Sequence, residues 1–404
     1  MDIQIRAIGE DEFEAYANAV ETAFGSFVDA ADLERERSIA ELDRSFAAFD
    51  GDRIVGTAAT LTMPMTVPGA ELEVGFVTAV GVLPTHTRRG INTALMLRTL
   101  EDARDRGEAV DVLFASEGGI YGRFGYGMSA PELTLDVRTT HAAFIRGYRP
   151  SGAVRLVGAE EGMQGIITVH GSLRHERPGA IELTPTRLNS ALHDHGEDKG
   201  KPRFFALHEG QEGVDGYLAY RVKHDWATGT PENHLEIHLL DGSSPGAYAD
   251  LWRYAFDVDL VARVTAWARP ADEPLVHLVR EPRRLNARHS DGLYLRVVDV
   301  PAALEARRYA AAGRVVLQVH DPFCAWNEGR FALEGGPDGS ACARTDEEPD
   351  LIATVSEIGA TYLGGPSFRQ LHRAGRVSEE RAGALARADA MFGWDPAPWC
   401  AFGF

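Results

Sequence analysis

Two arginines precede a glycine in the run Thr87-Arg88-Arg89-Gly90-Ile91-Asn92, which follows a valine-rich stretch and opens a helical one. Glycine lets the backbone come close to a ligand, and the first turn of a helix presents unpaired N–H groups at the positive end of its dipole. With guanidinium groups beside it, this is the chemistry of a pyrophosphate cradle. The hexapeptide alone favours a solvated Arg-Arg helix start; its position behind a strand is what points to an anion. A second cluster, Ser116-Glu117-Gly118-Gly119-Ile120-Tyr121-Gly122-Arg123-Phe124-Gly125-Tyr126-Gly127, has the wrong spacing for a dinucleotide fingerprint and no long helix behind it. Its phenols, Tyr121 and Tyr126, are either packing aromatics or proton donors. The third feature is the end of the chain, where Trp394, Trp399, Phe402 and Phe404 fall in a segment that is ordinarily polar and frayed. Such a tail must dock, and docking would carry the Phe404 α-carboxylate into a partly dry place, as an anchor or as a base.

The elements around these residues read as an α/β sandwich. Ile3, Ile5 and Ala7 alternate with Gln4 and Arg6, the period of a half-buried strand, and a helical stretch runs from about Glu10 to Phe24. Asp50-Gly51-Asp52 joins Phe46–Phe49 to Ile54–Ala59 as a hairpin. A β-rich run, 74–83, leads to a helix from near Gly90 to Gly107 and then to a strand, 110–115. A weak echo follows about 160 residues later: Phe205–Gly210, Val214–Ala219 and Leu235–Leu240 answer the hairpin and the long strand. Behind that strand stands Asp241-Gly242-Ser243-Ser244-Pro245-Gly246, with no cation, so only the first copy carries an anion site. From about Gly292 a third, α+β texture begins, with strands at 293–298, 314–319, 330–334 and 351–355, and the Gly-rich, acidic stretch 335–350 reads as a surface loop.

A length of 404 residues exceeds what one core organises and suggests two to three domains. The 41 basic and 60 acidic residues leave a net charge of −19, which repels nucleic acid and anionic membranes, so a polyanionic ligand needs a local basic site. Cys324, Cys342 and Cys400 form no C-x-x-C pair and fit a reducing cytoplasm. No signal-like leader and no run of about 18 apolar residues is present, and a cytoplasmic location is expected. His193 and His195 could suggest a metal, but the stretch from His193 to Lys201 reads as an exposed polar loop, and no metal is expected.

Taken together, the run Val80–Gly90, the run Ala115–Gly127, the ending Phe402-Gly403-Phe404, the stretch Leu293–Ala306 and Tyr362-Leu363-Gly364-Gly365 resemble the enhanced intracellular survival (Eis) family of GNAT-superfamily N-acetyltransferases. The resemblance covers the whole chain. It implies tandem GNAT folds, catalytic over residues 1–150 and lacking a coenzyme loop over 151–288, with a sterol-carrier-protein-like domain over 289–404, assembled as a homohexamer. It implies acetyl-CoA as co-substrate, held by Val80, Gly81 and Val82 of a splayed strand, by Arg88, Arg89, Gly90, Ile91, Asn92 and Thr93, and by Ser116 and Glu117. Tyr121 becomes the catalytic acid, the Phe404 carboxylate the base, and Phe24, Ser26, Phe27 and Gly403 the acceptor pocket. The implied reaction is acetyl transfer to amino groups of a small polyamine or aminoglycoside-like substrate. The alternatives are a protein-lysine N-acetyltransferase, a non-catalytic acyl-CoA-binding scaffold, or a lipid carrier. The chain departs from the superfamily's loop pattern at Thr87 and Asn92, where backbone donors survive. Ser26 and Gly403 stand where aminoglycoside-active relatives carry acidic residues.

Overall fold

The computed structural model describes residues 3–193, 201–226 and 229–403. They form two compact units, one holding the chain up to Ala130, Asp291–Pro398 and Gly403, the other Pro131–Ser290 and Trp399–Phe402. Among the described residues no helix is long and apolar enough to cross a membrane. His195 and Phe404 lie outside the described residues.

The first unit opens with β1 (Ile3–Ala7), α1 (Phe13–Phe24), α2 (Ala30–Ile39), β2 (Ser45–Asp50), β3 (Arg53–Val67), β4 (Ala70–Val82), α3 (Ile91–Asp105), β5 (Val110–Phe114) and the one-turn α4 (Gly118–Tyr121). The expected hairpin joins β2 to β3, with Gly51 at φ 62° in its turn. Helix α3 buries Ile91, Leu95, Met96, Leu100 and Ala103, the spacing of one helical face, and packs Ile91 and Leu95 on Phe46, Ala48 and Val55. Arg44, just before β2, is fully buried. It donates to both carboxylate oxygens of Glu108 at 2.6 Å and, through Nε, to Asp102 at 3.2 Å. A buried guanidinium stripped of such partners costs about 3–5 kcal/mol, so this pairing ties the entry of β2 to the end of α3 and the turn before β5.

The chain enters the second unit along β6 (Gly127–Arg138), followed by β7 (Ala153–Val157), α5 (Ala159–Leu173), α6 (Pro185–Ala191), β8 (Phe204–Gly210), β9 (Gly213–Lys223), β10 (Asn233–Gly242), α7 (Pro245–Asp257), β11 (Val261–Pro270) and α8 (Leu275–Leu278). Its strands run in the order β6-β11-β10-β9-β8-β7, and β10 and β11 are parallel. The antiparallel run β8-β9-β10 repeats β2-β3-β4, so the sequence echo is a repeat of fold.

Strand β12 (Arg288–Val297) pairs antiparallel with β5, from Leu293↔Phe114 to Val297↔Val110, and completes the order β1-β2-β3-β4-β5-β12 in the first unit. The same unit continues with α9 (Val300–Glu305), β13 (Gly313–His320), β14 (Gly329–Gly336), β15 (Gly339–Arg344), β16 (Leu351–Thr354), α10 (Val355–Tyr362), α11 (Phe368–Arg373), β17 (Ser378–Glu379) and α12 (Ala384–Phe392). The five strands form a separate sheet in the order β15-β14-β13-β16-β17. The stretch 335–350, expected to be a loop, contains β15, which pairs with β14 from Phe331↔Arg344 to Gly336↔Gly339. Its residues, Gly339-Ser340-Ala341-Cys342-Ala343-Arg344, carry no apolar alternation, so the pairing itself defines the strand.

The start of β6 lies directly on α10: a Cβ added at Gly127 would stand 1.9 Å from the Ser356 carbonyl oxygen and 2.5 Å from the Ala360 nitrogen. Both neighbours are backbone and cannot yield as a side chain does. Gly127→Ala is expected to lower stability by about 3 kcal/mol, the upper range for overpacking, read as a fall in the unfolding midpoint. A variant as stable as the parent would contradict this close packing.

Candidate active site

The site begins with an extra residue in β4. Thr57 pairs with Gly81 and Ala59 with Thr78, so Ala58 alone faces both Ala79 and Val80, and β4 bulges. Ala79 sits at φ 52°, uncommon for a residue with a side chain, and its carbonyl accepts a 2.8 Å hydrogen bond from Thr57 Oγ1. The parallel pairing of β4 with β5 is confined to Gly75↔Asp111 and Phe76↔Val112. Beyond it β4 runs on along β3 to Val82 while β5 runs along β12, and the two strands part.

The parted strands border a cavity of about 630 Å³. Its walls include Phe24, Val80, Gly81, Val82, Arg88, Gly90, Ile91, Asn92, Thr93, Ser116 and Glu117. Ten of the eleven residues expected at the coenzyme therefore meet in one place; Arg89 instead directs Nη2 to the Thr85 carbonyl at 3.0 Å. Thr87, where the chain departs from the superfamily's loop pattern, also lines the cavity, as do Ala23, His86, Ile120 and Arg123, which were not singled out from the sequence. His86 is buried, its Nδ1 2.8 Å from Thr85 Oγ1 and its Nε2 3.2 Å from Asp50 Oδ2. A histidine inside the run Pro84–Gly90 was the available signal, but its partner Asp50 is supplied by the distant hairpin.

The wall at α3 is built for an anion. Its N-cap is Gly90 at φ 80°, no side chain caps it, its first turn carries no acid, and its first backbone bond runs from Ala94 N to the Gly90 carbonyl. The N–H groups of Gly90, Ile91, Asn92 and Thr93 precede that bond, as at any helix start. Arg88 holds a left-handed φ of 62°, a Cβ at Gly90 would meet nothing within 4 Å, and Asn92 Oδ1 is buried with no hydrogen-bond partner. An open cradle of backbone donors with a cation beside it fits a coenzyme pyrophosphate.

Tyr121 ends α4 and is buried, its ring edge-on to Tyr126 at 5.9 Å between centroids. Burial pushes its hydroxyl above the usual range, which keeps it protonated at neutral pH. Tyr126 is pushed further, by burial and by the charge of Asp111, and its hydroxyl is enclosed without a partner. Of the two phenols left open by the sequence, Tyr126 is walled in. Phe24 and Phe27 are 55% and 89% exposed on either side of Ser26, and Gly403 is exposed with nothing near its Cβ direction. All three cysteines are buried free thiols, and burial pushes Cys324 up to about 11 and Cys342 and Cys400 up to about 12, so none is poised as a nucleophile.

Residues 4–129 match the model of an acetyltransferase (GNAT) domain, residues 184–297 a second acetyltransferase (GNAT) domain model, and residues 300–401 a sterol carrier protein domain. The chain is 40% identical to an uncharacterized N-acetyltransferase of Streptomyces avermitilis and 31% identical to the N-acetyltransferase Eis of Mycobacterium tuberculosis, covering 100% of each pair. With the crystal structure of Eis1 from Mycobacterium abscessus it shares 33% identity and a TM-score of 0.85, over 99% of this chain and 100% of that one. Fold and cleft thus define an N-acetyltransferase of two GNAT folds and a sterol-carrier-protein-like domain, with acetyl-CoA as co-substrate. The chain belongs to the Eis family.

Of the two arginines that line the cavity, Arg88 and Arg123, Arg88 is the one at the helix start. Arg88→Ala is expected to weaken acetyl-CoA by about 1.5–3 kcal/mol in calorimetry, the worth of a hydrogen bond to a charged group, with a smaller loss in Arg89→Ala. Arg88→Gly, which accepts the left-handed backbone without strain, should lose as much as Arg88→Ala. Unchanged affinity in both Arg88 variants would remove this residue from the coenzyme site.

Proposed function

We propose that the chain transfers acetyl from acetyl-CoA to an amino group of a small polyamine or aminoglycoside-like acceptor by direct attack, with Tyr121 as acid and the Phe404 carboxylate as base. The observation that carries this reading is the open strand splay, with an uncapped helix start, Arg88 and the Ser116–Glu117 turn on one cavity wall. In this reading the N–H groups of Gly90 to Thr93 and the Arg88 guanidinium hold the pyrophosphate, and Val80, Gly81, Val82, Ser116 and Glu117 hold the rest of the coenzyme. The bound coenzyme supplies an acetyl already activated as a thioester, so no acyl-enzyme is needed.

The acceptor must attack as a neutral amine. An α-carboxyl near pKa ~3.5 lies about 4.5 units below an amine near ~8, a deficit of about 6 kcal/mol. Burial raises a carboxyl, and the buried Trp399, Cys400 and Phe402 of the tail support such a setting; a water can also relay the proton. Tyr121, held protonated by its burial, then donates from Oη to the departing sulfur. The net charge of −19 favours cationic acceptors through steering, while Ser26 and Gly403 supply no carboxylates and favour acceptors with few ammonium groups. The reading includes a homohexamer, as the sequence resemblance implies, and a reducing compartment, supported by the three free thiols.

Free thiol release from acetyl-CoA across aminoglycosides, polyamines and lysine peptides tests the activity: amine-dependent release is expected, and binding without release to any amine would leave only an acyl-CoA scaffold. Tyr121→Phe should lower kcat by about 10²-fold or more with acetyl-CoA binding unchanged, since general acid catalysis contributes about that much. Tyr126→Phe should leave kcat near the parent. The opposite pattern would transfer the acid role to Tyr126.

A further inference from the structure

The second unit has the same strand splay and closes it. β10 and β11 pair from Asn233↔Val261 to Ile237↔Ala266, after which β10 follows β9 to Gly242 and β11 resumes along β6 only at Arg269↔Leu133. Trp267 and Ala268 are left as a bulge, Trp267 68% exposed and Ala268 at φ 47°. Buried Arg269 spans the gap: Nη1 donates to the Leu240 carbonyl of β10 at 2.7 Å, Nε to Glu273 at 2.8 Å and Nη2 to Tyr248 Oη at 2.8 Å. Helix α7, in the place of α3, begins with Pro245, which has no N–H, and its N-cap Ser244 Oγ accepts from Ala247 N at 3.1 Å. Of the donors that α3 leaves open, one is removed here by Pro245 and another is capped by Ser244.

The closed splay is met by the chain's own tail. Trp399 Nε1 donates to the Ala268 carbonyl at 2.6 Å, on the strained bulge itself, and the Trp399 ring lies 5.1 Å from the Arg269 guanidinium. The Trp399 backbone N–H donates to Pro178 O at 2.8 Å, and Gly179, at φ 89°, leaves room for it: a Cβ there would stand 3.1 Å from the Trp399 carbonyl oxygen. Phe402 is buried edge-on to His170, 4.9 Å between centroids. Phe404 is two residues further along the chain.

We propose that the second acetyltransferase fold has converted its coenzyme splay into a receptor for the C-terminal tail, and that Trp399 and Arg269 are positioning residues for the Phe404 carboxylate. The proposal rests on the reading of that carboxylate as the base. A tail fixed at Trp399 and Phe402 leaves two residues, about 7 Å of reach, for the chain end to wander. Misplacement by about 1 Å costs on the order of 10²-fold in rate, so a loosened anchor acts on turnover before it acts on binding. The second fold is then retained for the geometry of the base, and its own coenzyme chemistry is gone.

Trp399→Phe keeps an aromatic ring and removes the N–H; Trp399→Ala removes both. Each is expected to lower kcat, by about tenfold and by 10²-fold or more respectively, with the KM for acetyl-CoA within twofold of the parent, because the coenzyme residues belong to the other unit. Hydrogen exchange of amides 400–403 should rise in the same order, and carboxypeptidase should release Phe404 faster. Tail amides in Trp399→Phe as protected as in the parent, or a released tail with unchanged kcat, would overturn the proposal. If Trp399→Ala does not fold, Arg269→Lys serves as the second variant with the same readouts. A C-terminal amide of the unaltered chain separates the two readings: native turnover by the amide would sink the base, while tail exchange in the Trp399 variants still reports on the receptor.

Discussion

Two parallel strands that pair at only two positions and then part impose the central constraint. β4 gains one residue at Ala79–Val80, its left-handed backbone is pinned by Thr57, and beyond Phe76 the edge of β4 facing β5 has no strand beside it. Backbone polar groups must be satisfied, by water or by something that fills the gap. The fold thus makes a slot whose walls are main chain, and the helix that starts at the open end adds uncapped donors to it. Arg44, Glu108 and Asp102 keep the geometry from relaxing, since moving β2 against α3 would strand a buried guanidinium.

The same constraint recurs in the second unit with a different solution. Its splay is bridged by Arg269, its helix start is capped by Ser244 and Pro245, and Trp399 bonds to the bulge beside it. A duplicated fold therefore holds one open slot and one filled slot. The difference lies in a handful of side chains at the strand ends: Arg88 and Gly90 against Ser244, Pro245 and Arg269. The sheet orders themselves are alike.

Much of this was legible because the chemistry is local. The hairpin at Asp50-Gly51, the helix after Gly90 and the repeat at 205–240 all follow from turn residues and periodicity over a few positions, and ten of the eleven residues expected at the coenzyme line one cavity. What escaped is set by distant partners. Helix α2 has no buried residue and no apolar stripe, only an Asp29 cap accepting from Ala31 and Asp32, so no pattern announces it. Strand β15 exists because β14 is beside it. His86 in the cavity and Arg44 at the entry of β2 depend on Asp50 and Glu108, 36 and 64 residues away. The bulge at Ala79 has no glycine to mark it, because the strain is held by Thr57 from the neighbouring strand.

Hydrogen exchange of the intact protein with and without acetyl-CoA tests most directly the claim that one splay is open and the other closed. The account predicts added protection across Val80–Thr93 and Ser116–Tyr121, and none at Leu239–Ala247, where the second helix start is capped. Protection at Leu239–Ala247 equal to that at Val80–Thr93, or protection there alone, would contradict it.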